Sequence, residues 1–426
     1  MASSMMGRYS LDAITIVVNG IGRSSEKNMS RMHIKSETEN QTDKLISLCK
    51  ECELFLNQYG EPFVKFEEKG HWDVRKISSK YFRSWLSLQY SRIFGKAPST
   101  NALKQALNML EAEATFSEKK EEVHLRVAWH DGVLYYDLAD KEHRVVKISE
   151  DGWKIVNSCP VLFTRYSNTA PQVEPKSNHD SVKMSNFINI TNDDQGRLLF
   201  VTLVALFIPD IPRPVLDFYG EKGSAKSTTM RLLRKIVDPA QQELMTLPNR
   251  QDEMAIMFSH NYMPAFDNLD KLKAWQSDMI CKAVTGTGFS KRRLYTDEEE
   301  VIWNYYRCIT LNGINLVTYK PDLMDRSILI ELDRIPKDTR RVEKEYWEEF
   351  ENARPTILAG IFDVLSKALS IYPKVKLPEH ERMADYCKWG CAISEVLRFD
   401  RNEYLAAYEP PRVYRRLGCL SPSAFS

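Results

Sequence analysis

A chain of 426 residues is long enough for two or three domains, each with its own core. Its composition, 43% apolar and 27% charged, excludes a disordered or fibrous class, and a formal net charge of +1 excludes bulk attraction to polyanions. Eight scattered cysteines and no secretory leader exclude a disulfide-stapled module and point to a reducing, intracellular and cytoplasmic setting.

Residues 1–42 are rich in Ser, Asn, Arg and Met around one apolar patch, AITIVV, and read as a flexible tail. Residues 43–167 read as a smaller mixed α+β domain. KLISLCKECELFLNQ and TNALKQALNMLEAEA carry apolar residues three and four apart, which predicts two helices. VHLRVAWHDGVLYYDLAD and RVVKISEDGWKIV place strand-like runs around Asp131-Gly132 and Asp151-Gly152, which predicts two hairpins. Cys49 and Cys52 are spaced C-x-x-C, but no second ligand pair follows, so they do not read as a zinc site. The polar residues 168–185, with two prolines and no apolar period, predict a linker.

From 186 to 375 strand-like and helical runs alternate. Leu198 to Ile208 is the longest apolar run, well short of the roughly 20 residues that cross a bilayer, so it reads as a buried helix and no membrane partner is expected. PVLDFY, MPAFDN and CITLNG read as strands and TTMRLLRKIV as a helix, the pattern of an α/β domain built on a parallel sheet with crossover helices on both faces. Residues 376–426 add one more helical pattern and an unpatterned tail.

PVLDFYGEKGSAKSTTMRLLRKI is a strand, a glycine-bearing turn and a helix. It fits G-x-x-x-x-G-K-[ST] except that Ala225 replaces the second glycine. The candidate phosphate cradle is Gly220, Glu221, Lys222, Gly223, Ser224, Ala225, Lys226, Ser227 and Thr228. The glycines let backbone N–H groups face the phosphates, Lys226 reaches the β- and γ-phosphates, and Ser227 holds Mg²⁺. About 40 residues on, NYMPAFDNLD ends an apolar strand in Asp267, placed to orient Mg²⁺ and its waters. Asn268 follows it; an amide can orient water but cannot accept its proton, so the general base is not identified.

This arrangement resembles the AAA+ helicases of the minichromosome-maintenance type and the related replication ATPases of phages, plasmids and integrated elements. The resemblance covers about 186–397, and Ala225 matches the family form G-x-x-G-x-A-K-S. It implies ATP and Mg²⁺ as cofactors, a P-loop AAA+ parallel sheet, single-stranded or forked DNA as partner, and a homo-oligomer, a hexamer. It also implies a DNA helicase at work in replication of a mobile element or virus, nucleoid-associated in a prokaryotic host. Asn312, closing RCITLNGIN, resembles the sensor-1 residue; Arg326 in KPDLMDRSILIEL the arginine finger; and Arg382 in PEHERMADYCKWGCAISEVL the sensor-2 arginine. Lys291, Arg292, Arg293 and Tyr295 in TGTGFSKRRLYTDEEEVIW match the pre-sensor-1 hairpin, which tracks a phosphate backbone and stacks on bases. Such helicases continue into a winged-helix domain, whereas this sequence runs out at Ser426, so its carboxyl end reads as truncated. Asn268 leaves open a different class, an ATP-dependent assembly or loading factor that sits on DNA with little hydrolysis or unwinding. A third option is an AAA+ remodelling ATPase that does not act on DNA.

Overall fold

The computed structural model describes residues 40–177, 181–292, 300–377 and 383–408; the expected tail 1–42 falls almost wholly outside this set. The chain divides into two compact units after Glu122.

In the first unit, Asn40 caps helix α1 (Gln41–Ser47) by accepting the N–H of Asp43 at 2.9 Å. The helix predicted through CELFLNQ stops there, because Glu53–Leu56 is strand β1, in register with β2 (Pro62–Glu68). β2 pairs in turn with β3 (His71–Lys76), making an antiparallel three-stranded meander. Ser79 and Ser99 cap helices α2 (Lys80–Phe94) and α3 (Thr100–Phe116), satisfying orphan N–H groups of the first turns. Val64 and Phe66 of β2 bury against Phe82 and Leu86 of α2 and Leu107 and Leu110 of α3. The meander and α2 were not anticipated from the sequence.

The second unit opens with a short strand β4 (Val123–His124), followed by an antiparallel sheet of β5 (Val127–His130), β6 (Val133–Asp137), β7 (Val145–Ser149) and β8 (Gly152–Val156), in that order. Asp131 and Gly132 both have positive φ, as a tight hairpin turn requires, whereas the second turn is Glu150-Asp151 and Gly152 already pairs with Ser149. After β9 (Leu162–Phe163) comes the apolar helix α4 (Asp193–Ala205), buried through Leu198, Leu199, Val201, Leu203 and Val204. Then a parallel four-stranded sheet is assembled from β10 (Val215–Tyr219), β11 (Ala265–Leu269), β14 (Thr310–Gly313) and β15 (Ser327–Glu331), in the order β11-β14-β10-β15. Helix α5 (Lys226–Val237) follows β10, α6 (Gln251–His260) precedes β11, and α7 (Ala274–Thr285) leads to an antiparallel hairpin of β12 (Phe289–Arg292) and β13 (Glu300–Trp303). The short α8 (Pro321–Met324) precedes β15, and α9 (Glu343–Ile371), α10 (Ala384–Val396) and α11 (Arg401–Tyr408) close the unit.

The unit boundary lies at 122/123 and not in 168–185. Val127, Leu134, Tyr136, Val146 and Ile148 of the hairpin sheet share one core with Phe207, Val237 and Phe362, so they cannot be parted from the parallel sheet without exposing it. Buried polar groups join the same elements. Gln172, from the expected linker, donates to the carbonyls of Lys235 (3.2 Å) and Ile236 (2.8 Å), and Tyr136 donates to that of Val237 at 3.1 Å. They satisfy carbonyls that the last turn of α5 leaves without intrahelical partners. Arg126 adds an ion pair to Asp238 at 3.1 Å and donates to the carbonyls of Ala170 and Pro239.

Helix α9, not singled out in the sequence, is long and apolar enough over Glu343–Lys374 to cross a membrane by length and composition, yet 56% of its apolar window is buried. Phe350, Ile357, Leu358, Phe362 and Leu365 lie in the core of the unit, the placement of a central core helix.

Candidate functional site

The loop 220–225 leaves the carboxyl end of β10, an inner strand of the parallel sheet, and enters α5. Ligands of open α/β sheets bind at the carboxyl ends of their strands. Gly220 has φ +137° and a Cβ there would collide with the backbone oxygen of Leu332; Gly223 has φ +86°. Ala225 takes φ +65°, a left-handed conformation that costs a non-glycine residue roughly 1–2 kcal/mol. Ala225 is also the N-cap of α5 and supplies no side-chain acceptor, so the first-turn N–H groups of the helix are left to an anion. Lys226 folds back over the loop, donating to the carbonyls of Gly220 (2.6 Å) and Glu221 (2.9 Å). Partial burial pulls its ammonium below the usual lysine range, and Asp267 opposes that shift.

Two strands, β11 and β14, and the first turn of α5 bring the polar side chains of the site together. Ser227 Oγ donates to Asp267 Oδ1 at 2.9 Å, and the Asn312 amide donates to that same oxygen and lies 3.4 Å from Ser227 Oγ. Asn312 Oδ1 accepts the backbone N–H of Asn268 at 2.9 Å. The β11–β14 register slips between Phe266 and Leu269, and Asn268 sits at that irregularity with φ +58°, a conformation Asn tolerates better than most residues. A serine hydroxyl and a carboxylate at this separation are hard oxygen donors, which suits Mg²⁺. The arrangement can therefore cradle polyphosphate, hold a divalent cation and place an amide beside it.

Arg326 is not part of this cluster. Its carbonyl accepts the N–H of Val215 at 2.8 Å and β15 begins beside the start of β10, so it lies about 15 Å down the sheet from the loop at ~3.3 Å per residue. There it pairs with Asp322 one helical turn earlier and donates to the Asp322 carbonyl at 2.7 Å. The hairpin expected before Asn312 is present as β12 and β13, with Lys291 opposite Val301 and Arg292 opposite Glu300. The side chains of Lys291 and Arg292, and all of Arg293, Tyr295 and Arg382, lie outside the described residues. The base of the hairpin is fixed firmly. Tyr306 packs on Gly286, which has no Cβ to obstruct it, the buried Arg213 donates to the Tyr306 carbonyl at 3.1 Å, and Arg307 donates to that of Phe258 at 2.6 Å.

Sequence reasoning missed the rim of the loop. Asn189 donates to the carbonyls of Asp333 and Ser224, and the N–H of Ile335 donates to Gly223 O at 3.2 Å, so residues 189 and 333–335 hold the loop from outside. No local pattern marks these contacts, since Asn189 and Asp333 are 144 residues apart.

A family model described as the actinomycete integrative conjugative element replication protein matches residues 181–409. No curated protein matches the chain. Among solved structures, the NrS-1 C-terminal region is 11% identical, covering 89% of this chain and 74% of that chain with a TM-score of 0.47. The structure described as SCCmec type IV Cch, active helicase, is 11% identical, covering 84% and 73% with a TM-score of 0.42. A ligand-bound JCV helicase is 12% identical, covering 54% and 62% with a TM-score of 0.28. Overlaps this loose leave the placement of the chain to the family match. That match takes in more than half of the 426 residues, including the glycine loop, Asp267 and Asn312, and the chain belongs to the family of actinomycete integrative conjugative element replication proteins.

Proposed function

We propose that the chain is an ATP-hydrolysing DNA motor of the P-loop AAA+ class, the helicase of its element's replication. The observation that supports this best is the meeting of Ser227, Asp267 and Asn312 beside a loop with free helix N–H groups. In this reading the loop and Lys226 grip the phosphates, Ser227 and Asp267 hold Mg²⁺, and Asn312 orients the attacking water. Mg²⁺, when bound there, would neutralise charge on the phosphates. Arg326, remote from its own loop, serves the site of the neighbouring subunit in a hexameric ring, with Arg382 as sensor-2 cation. Lys291, Arg292 and Arg293 of the hairpin track the phosphate backbone of single-stranded or forked DNA, and Tyr295 stacks on a base.

A second reading, an assembly or loading factor with little turnover, is favoured by one observation. Asn268 stands where a carboxylate base is wanted, and its N–H is committed to Asn312. Both readings require nucleotide at the loop. Mg²⁺-dependent ATP binding, measured by calorimetry, is expected for the wild type and weakened by at least about tenfold in Lys226→Ala. Equal binding by the two proteins would sink both.

A further inference from the structure

The chain leaving β15 turns back along the outer lip of the glycine loop. Leu332 N–H donates to Tyr219 O at 3.0 Å and Ile335 N–H to Gly223 O at 3.2 Å, and the run ends over the loop at Arg340. Arg340 Nη2 lies 3.1 Å from where a Cβ on Gly223 would sit, and its Nε donates to Ile335 O at 3.3 Å. Three arginines lie on this stretch. Arg334 is paired with Glu221 at 3.7 Å and Arg341 with Glu349, whereas among the described residues no carboxylate pairs with the exposed Arg340. An uncompensated guanidinium is thus held against a loop that opens a helix whose N-cap, Ala225, offers no side-chain acceptor to the first-turn N–H groups.

The order of the sheet fixes the side from which it approaches. Asp267 and Asn312 stand on β11 and β14, to one side of β10, while β15 lies on the other. The cation-binding and γ-phosphate end is therefore the β14 side, and Arg340 comes in from the opposite flank. We infer that Arg340 is a ligand of the α- and β-phosphates of nucleotide bound in its own subunit, closing the loop from the side away from the metal. This rests on the nucleotide-binding reading of the loop.

Calorimetric titration of ATP and of ADP, each with Mg²⁺, into wild type, Arg340→Ala, Arg340→Lys and Lys226→Ala tests it. Arg340→Ala is expected to bind both nucleotides about tenfold more weakly with their affinity ratio unchanged, and Arg340→Lys to recover part of the loss. Because the side chain is exposed, the melting temperature without nucleotide should match wild type. If Lys226→Ala loses binding while Arg340→Ala keeps wild-type affinity for both, Arg340 is no ligand and the loop reading stands. Loss of ATP affinity alone places the contact on the γ-phosphate and overturns the assignment. Unchanged binding by Lys226→Ala removes the nucleotide site and this inference with it.

Discussion

Asp217 lies in the middle of β10, fully buried, three residues before the glycine loop. Its Oδ2 accepts from the N–H of Val317 (3.1 Å), the N–H of Thr318 (3.0 Å) and the Thr318 hydroxyl (2.9 Å), so it ties the segment after Asn312 to the strand that feeds the loop. Burial pushes its carboxyl up to about 6 from 3.8, outweighing those three hydrogen bonds, and Oδ1 has no partner among the described residues. Between about pH 4 and 6 the folded chain keeps a proton that the unfolded chain has released, so this group lowers stability as pH rises through that window. Asp217→Asn keeps the acceptor and removes the charge. Urea unfolding should find it at least as stable as wild type at pH 7.5, by at most about 3 kcal/mol, with the difference closing as pH falls from 6 to 4. A difference that widens as pH falls would contradict this. The glycine loop was legible because its chemistry sits in nine consecutive residues with a strand before and a helix after. Asp217 and Arg340 were not, since VLDFY reads as a plain apolar strand and Arg340 as one more surface cation; their meaning comes from residues 100 or more positions away.

At the scale of elements, the hairpin sheet is a buttress for the far end of α5. Arg126 is only 2% exposed and spends its guanidinium on Asp238 and the carbonyls of Asp137, Ala170 and Pro239. Arg126→Ala leaves Asp238 and those carbonyls short of donors, and is expected to cost about 3–5 kcal/mol in denaturant unfolding; a loss below about 1 kcal/mol would mean that Arg234, whose guanidinium lies 3.7 Å from the Asp238 carboxylate, compensates. Periodicity and Asp-Gly turns made these hairpins legible. Their allegiance was not, because a polar stretch such as 168–177 looks like a linker until Gln172 is seen buried against helix carbonyls. In the first unit, KLISLCKECELFLNQ carries apolar residues at both helical and strand spacing, and pairing with β2 decided the second half. The hairpin of β12 and β13 was expected from the family resemblance, by its position ahead of Asn312; what anchors it, Tyr306 on Gly286 and the buried Arg213, is tertiary.

For the whole molecule, the separation of Arg326 from the loop of its own subunit is what a shared site requires. Arg326→Ala is expected to bind nucleotide like wild type but to lose turnover, whereas Lys226→Ala is expected to lose turnover through weakened binding. Mixed in equal amounts, the two inactive proteins should regain part of the activity, because random assembly restores about one interface in four. No recovery on mixing would place Arg326 outside the site. Order and spacing of the motifs, read through the family resemblance, are what raise the shared site as a proposal, and the mixing experiment is what tests it.

The central claim is that nucleotide turnover at the glycine loop is coupled to DNA. Steady-state ATP hydrolysis by wild type and Lys226→Ala, with and without single-stranded DNA, tests it most directly. The account predicts turnover that rises with DNA and vanishes in Lys226→Ala. Wild-type protein that binds ATP yet fails to hydrolyse it even with DNA would contradict the motor, and would leave Asn268 as the mark of a factor that assembles on DNA without driving it.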